Sequence, residues 1–278
     1  MPIIRPRVAH SLASDHPSSS SSAHFAILGL LNGITLEVGL LGIVATLLFH
    51  RFYEKTPKLS ITGILLINFN MACLFYMANF SSDWFLKESN CQIGNLFGNM
   101  ASHYFYLSFD AFILFKSFVF SKCDHNVFRV SCILFVHRLF WTIYDIVKST
   151  GEWDPLARYC NYNQNGLSGL GYNASDILID SFCSIVALLF SWQYLNSDIT
   201  RIGEVILSEN VLRSVCVLFV NSFAIYASLT INDPFMTLIT FMLQNYIYAR
   251  CVNFELFWII TRRRNMVKIS NTSNSSNN

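Results

Sequence analysis

The chain reads as an all-α membrane protein, a bundle of seven transmembrane helices with the N-terminus outside and the C-terminus cytoplasmic. Three observations predict this. Seven apolar stretches between Phe25 and Ile260 each reach the roughly 20 residues that a spanning helix needs. Hydrophobic residues make up 53% of the chain and charged ones 13%, about half the charged share of a soluble domain, too few to coat a water-facing surface. The Lys and Arg residues are unevenly divided between the two sides that alternate spans would create.

The predicted spans are Phe25–Phe49, Ile61–Ser82, Asn95–Phe120, Phe128–Lys148, Ile177–Asn196, Val211–Asn232 and Phe235–Ile260. Residues 1–24 hold the serine run Ser18–Ser22 and are expected to be a disordered outer leader. They lack an apolar core, so no cleavable signal peptide is expected and the first span must direct insertion. Residues 261–278 form a short cytoplasmic tail, first basic (Arg262, Arg263, Arg264, Lys268) and then only Asn, Ser and Thr from Asn271. The basic run suits an anchor on anionic inner-leaflet lipid.

With the N-terminus outside, Arg51, Lys55, Lys58, Lys122, Arg129, Arg201, Arg213, Arg262, Arg263, Arg264 and Lys268 fall on the cytoplasmic side. Arg5, Arg7, Lys87, Lys148 and Arg158 fall outside, and eleven against five follows the positive-inside rule. In this orientation Cys91 and Cys160 are both outside, where an oxidising compartment lets them bond and pin the 149–176 loop over the third span. Cys73, Cys132, Cys183, Cys216 and Cys251 lie within spans as small apolar fillers. Asn173-Ala-Ser is a glycosylation signal in that outer loop, a few residues before span five. The loop is long and aromatic, and reads as a lid. Gly29 and Gly33, four apart, are expected to serve close helix packing. All six prolines fall outside the span interiors, so no proline kink is expected.

Polar residues inside spans are costly and usually face the bundle interior. Gln92, Asn95, Asn99, His103, Tyr106 and Asp110 are spaced 3, 4, 4, 3 and 4 apart, one helical stripe on span three. Glu37 in span one, His137, Arg138 and Asp145 in span four, Asp180 in span five, and Arg250 and Glu255 in span seven are the other ionisable residues at depth. Two readings stand side by side. In one, these residues tie helices together, Arg138 to Asp110 and Arg250 to Glu37. In the other, Asn99, His103, Tyr106, Asp110, Glu37, Arg138, Asp145, Asp180 and Arg250 line a cavity for a ligand or a transported solute.

Seven spans, an outer N-terminus, a cysteine at the outer end of span three and another in the second outer loop resemble the G-protein-coupled receptor plan. The signature motifs are absent: Ser121-Lys122-Cys123-Asp124-His125 follows span three, and span seven reads Gln244-Asn245-Tyr246-Ile247-Tyr248. Tyr162-Asn163-Gln164-Asn165, Ser208-Glu209-Asn210-Val211-Leu212-Arg213-Ser214 and Gln244-Asn245-Tyr246-Ile247-Tyr248-Ala249-Arg250-Cys251 look like segments of orphan seven-helix proteins from early-diverging fungi. The resemblance implies a receptor-like sensor, at the plasma membrane or an endomembrane, of an outside small molecule or peptide. It also implies a cytoplasmic signalling partner.

Other classes are tested by single residues. Retinal proteins need a lysine in span seven, and the lysine deepest in any span is Lys116 in span three. Zinc-dependent membrane hydrolases need several histidines, and His103 and His137 alone do not complete such a site. No metal or cofactor is expected. A small-solute transporter remains the alternative, followed by a membrane-embedded enzyme using the carboxyls of Glu37, Asp110 and Asp180. A net charge of +2 gives no reason to expect nucleic acid; the lipid bilayer is the one assured partner.

Overall fold

A computed structural model describes residues 18–51, 60–83, 86–155, 159–195, 200–230 and 235–254. The expected termini and Glu255 lie outside the described residues. The elements in order are α1 (Ser18–Phe49), α2 (Ile61–Asp83), α3 (Cys91–Phe120), α4 (His125–Lys148), the strands β1 (Thr150–Asp154) and β2 (Tyr159–Asn163), α5 (Gly166–Leu195), α6 (Thr200–Thr230) and α7 (235–254). Five of the helices, α1, α2, α4, α5 and α6, are long and apolar enough to cross a membrane.

The helices are turned inside out relative to a soluble bundle. Large apolar side chains face outward on helix after helix, among them Leu30, Ile64, Ile133, Val147 and Phe219, each more than half exposed. Asn70, Arg138, Asp145, Asn221 and Asn245 are buried to 0% exposure in the centre. Water cannot make that arrangement stable, whereas hydrocarbon rewards it: an apolar flank meets lipid at no cost and polar groups find partners inside. The chain is an integral membrane protein.

Two junctions position the interior. Lys122 and Cys123 take left-handed backbone angles (φ 56° and 64°) to turn the chain between α3 and α4. Asp124 then caps α4, its carboxylate accepting from the amides of Asn126 (2.7 Å) and Val127 (3.1 Å). Asn165 caps α5 in the same way, its side-chain oxygen accepting from Leu167 and Ser168, both at 3.1 Å.

That last cap corrects the expected start of span five. The helix begins at Gly166, not near Ile177, so the 149–176 loop shrinks to a two-stranded antiparallel hairpin with Trp153 opposite Cys160 and Gly151 opposite Tyr162. Glycines made 166–171 look like loop, since each lowers helix propensity. Gly171 is there for contact. A Cβ on Gly171 would fall inside the Trp141 ring of α4. Asn173, the glycosylation signal read a few residues before span five, lies within α5 at 2% exposure and donates to the Gly169 carbonyl at 2.9 Å. Gly171→Ala should therefore cost about 1–3 kcal/mol through overpacking at the α4–α5 contact. Gly166→Ala, with nothing within 4 Å of its Cβ position, should cost far less. Thermal unfolding in nanodiscs compares the two, and equal melting temperatures would remove the packing argument.

Four other expectations are corrected. Ser18–Ser22 continues α1 and is not unstructured. Gly33 faces open space, and the close approach in α1 is made at Gly39, against Leu74, and Gly42, against Asn70 and Asn253. α6 starts at Thr200, which removes most of the expected 197–210 loop. It also places Arg213, counted as a cytoplasmic span end, in the interior at 7% exposure.

Candidate functional site

The interior polar groups form three tiers on α3, α4, α5 and α6. On α5 they run from Ser168 to Asp180, twelve residues or about 18 Å of helix, much of the thickness of a hydrocarbon core.

The first tier lies at the hairpin end and centres on Asp145 of α4. Its Oδ2 accepts from Asn99 Nδ2 (3.0 Å) and the Tyr162 hydroxyl (2.9 Å), and meets His103 Nε2 at 3.0 Å. Its Oδ1 accepts from the Ser149 hydroxyl (2.9 Å) and from that of Ser168. One carboxylate thus clasps α3, α4, the hairpin and α5. The Tyr162 ring is 37% exposed while its hydroxyl end is drawn into the tier. That burial, with the adjacent Asp145 charge, holds its phenol above the ordinary tyrosine range, so Tyr162 keeps its proton and stays a donor.

The second tier is built on Arg138, 0% exposed. Its Nε donates to Asp176 Oδ1 at 2.5 Å and lies 3.5 Å from Asp110 Oδ2, and its Nη1 donates to the Thr142 hydroxyl at 2.8 Å. The guanidinium carbon sits 5.2 Å from the centre of the Tyr172 ring. The third tier pairs Arg213 of α6 with Asp180 of α5 at 3.2 Å, with Asn210 accepting from the same guanidinium at 3.1 Å. Beside these tiers, α7 is held by amides and phenols: Gln244 donates to Asn221 at 2.6 Å, Asn221 to Tyr248 at 2.8 Å, and Tyr106 to Asn245 at 2.6 Å.

Above the first tier, under β1, a cavity of about 370 Å³ opens between α3 and α4. Gln92, Asn95 and Asn99 supply its wall from α3, Ile146, Val147 and Ser149 from the end of α4, and Thr150, Gly151 and Tyr162 its roof. Ile93 (60% exposed), Leu96 (44%) and Val147 (68%) stand at its side, so it opens laterally past apolar side chains. The roof is fixed by the expected disulfide: Cys91 at the start of α3 and Cys160 of β2 are bonded, with Cα atoms 5.4 Å apart. Gly151 packs on Asn95 so closely that a Cβ would stand 2.7 Å from it.

Of the residues singled out from the sequence, Asn99, His103, Asp110, Arg138, Asp145 and Asp180 enter the tiers, and Tyr106 the α7 contact. The Arg138–Asp110 pairing is present. Glu37 and Arg250 are not brought in. Glu37 is exposed on the outer face of α1, and Arg250 is exposed on α7, donating to its own helix at the Tyr246 hydroxyl (3.0 Å), so they do not form the expected pair. Asp176, Ser168, Tyr172, Gln244 and Asn221 were not anticipated as interior groups. The signal for the α5 residues was available: Ser168, Tyr172, Asp176 and Asp180 are each four apart, as regular as the α3 stripe.

No protein-family model matches the chain, and no curated protein matches it.

Proposed function

We propose that this integral membrane protein is a receptor-like sensor, at the cell surface with its hairpin end outside. Its ligand is a small neutral molecule with hydrogen-bonding groups on an apolar body. The observation that carries the reading is the double duty of Asn99 and Tyr162. Both line the 370 Å³ cavity, and both donate to Asp145 below it. A molecule that hydrogen-bonds either side chain competes with Asp145 for its donor. It thereby loosens or tightens the clasp among α3, α4, α5 and the hairpin.

The volume falls in the small-molecule range. Among the described residues the lining is neutral, with no Asp, Glu, Lys or Arg, so a charged ligand finds no counter-charge there. Apolar side chains at the lateral opening suit the apolar body, entering at the level of the outer leaflet. Deeper in the bundle the packing closes, with Phe109 4.3 Å from Tyr248 between ring centres and Phe112 and Ile113 buried beyond. That apolar plug favours a sensor over a through-path for solute, which would serve the transporter alternative. Signal would leave through the opposite end, where the α3–α4 turn meets a cytoplasmic partner.

Cys123, exposed in that turn, supports a direct test. An environment-sensitive maleimide on Cys123, in nanodisc-held protein with Cys132→Ser to remove the exposed thiol on α4, reports the far end of the bundle. Asn99→Leu and Tyr162→Phe should each shift the emission, because the clasp and the turn are ends of the same helices. Unchanged emission in both variants, with the protein folded, would sink the sensor reading.

A further inference from the structure

The second tier holds one negative charge more than positive. Arg138 faces two carboxylates, Asp176 and Asp110, all three at most 2% exposed. The ionisable groups around them are engaged elsewhere. His103 on α3 and Asp145 on α4 answer one another, and Arg213 on α6 answers Asp180 on α5. Tyr106 on α3 and Tyr248 on α7 are neutral phenols bonded to Asn245 and Asn221, and Tyr172 on α5 turns its ring to Arg138. The buried Cys183 thiol on α5 adds no positive charge.

The hydrogen bonds of the tier are incomplete as well, with Arg138 Nη2 buried without an acceptor. Both oxygens of Asp110 and Oδ2 of Asp176 are buried without a donor. Arg138 Nε lies 2.5 Å from Asp176 Oδ1 and 3.5 Å from Asp110 Oδ2, which brings the two carboxyl groups together at one guanidinium nitrogen. Ionised carboxylates only accept, so two of them cannot bond; a single proton turns one into a donor to the other. It also brings the trio to zero net charge, which a site this dry demands. A metal ion is a poorer fit, since no cluster of three or more His, Cys, Asp or Glu with metal-holding geometry occurs among the described residues.

We propose that Asp110 of α3 and Asp176 of α5 form a carboxyl pair that binds one proton in the centre of the bundle, with Arg138 as its fixed counter-charge. With the proton bound, the O–H of one carboxyl donates to the other and α3 and α5 are held together. Its release to water leaves two facing acceptors and one unanswered negative charge, which drives the helices apart or draws water between them. Alkaline conditions therefore loosen the bundle at this tier, separately from the Asp145 clasp.

Infrared spectra of the full chain in nanodiscs, in H2O and D2O, test this through the carboxylic-acid C=O stretch, which moves down on deuteration. At neutral pH the wild type should show the band, and Glu37→Gln, which removes the exposed acid of α1, should keep it. Asp110→Asn and Asp176→Asn should each lose intensity there, because the remaining carboxylate is neutralised by Arg138 alone. Raising the pH should remove the same component from the wild type in one step.

The proposal is overturned if the wild type lacks the band or if both Asn variants keep its full intensity. It is equally overturned if the band appears only when sodium is replaced by a large organic cation, which would make sodium the bound ion. Should the Asn variants not fold, the wild-type and Glu37→Gln spectra with their pH titration decide alone.

Discussion

Arg138→Met should be the most damaging single substitution in the bundle, costing about 3–5 kcal/mol, the range for removing one partner of a buried ion pair. Met keeps much of the length and apolar stem but leaves Asp110 and Asp176 facing each other with no positive charge between them. It also strands the Thr142 hydroxyl that Arg138 satisfies at 2.8 Å. The expected result is a sharp fall in monodisperse protein on size-exclusion chromatography and a much lower unfolding temperature in nanodiscs.

The companion experiment separates charge from shape. Arg138→Met combined with Asp110→Asn and Asp176→Asn removes the charge imbalance at nearly constant volume, and should recover most of the lost stability. A buried ionic network replaced as a unit is often neutral in stability, whereas one broken in half is not. If the triple variant is no better than Arg138→Met alone, packing around the guanidinium, including its face-on contact with Tyr172, is what the position supplies.

How the sequence reading fared follows helical phase more than residue type. The α3 stripe was legible because six polar residues repeat in register, and the structure puts His103 and Asp110 from it into the interior. Glu37 and Arg250 were drawn inward on their charge alone. The buried face of α1 runs through Asn32, Thr35, Gly39, Gly42 and Thr46, with spacings of 3, 4, 3 and 4, and Glu37 lies off it. The buried face of α7 runs through Asn245, Tyr248, Ala249 and Val252, and Arg250 is off that one. A charge predicts burial only when its neighbours in register are polar or small as well.

The start of α5 was obscured for a different reason. Gly166, Gly169 and Gly171 signal a loop by local propensity, while the contact that makes Gly171 useful, the Trp141 ring, lies on another helix. Local propensity cannot see it. Asp176 was hidden with that segment. Arg213 was assigned to a span end because Lys and Arg usually sit there, and its partner Asp180 is 33 residues away. The hairpin was half visible: the Cys91–Cys160 bond follows from two cysteines on one side of the membrane, whereas the β1–β2 pairing has no strong alternating pattern to announce it.

Asp145 gives the second large effect, and here the identity of the replacement matters. Asp145→Leu leaves the donors of Asn99, Tyr162, Ser149 and Ser168 without their acceptor and His103 without its anionic neighbour. Each buried group left unsatisfied costs about 1–3 kcal/mol, and partial relaxation toward the cavity water should bring the total to roughly 4 kcal/mol. Asp145→Asn should be much milder, about 1–2 kcal/mol. Its carbonyl can keep the Asn99 and Tyr162 donors, and its amide can face the Ser149 and Ser168 hydroxyls, which rotate to accept.

The variants should also differ in place. Asn should leave the hairpin docked, held by Tyr162 and the disulfide, while Leu should free everything but the disulfide. Hydrogen exchange read on residues 150–154 and 159–163 distinguishes these outcomes. Rapid exchange in Leu with near wild-type protection in Asn is the expected pattern. Equal protection in both would mean that the Cys91–Cys160 bond alone holds the hairpin, and that the cavity roof carries no signal to the helices below.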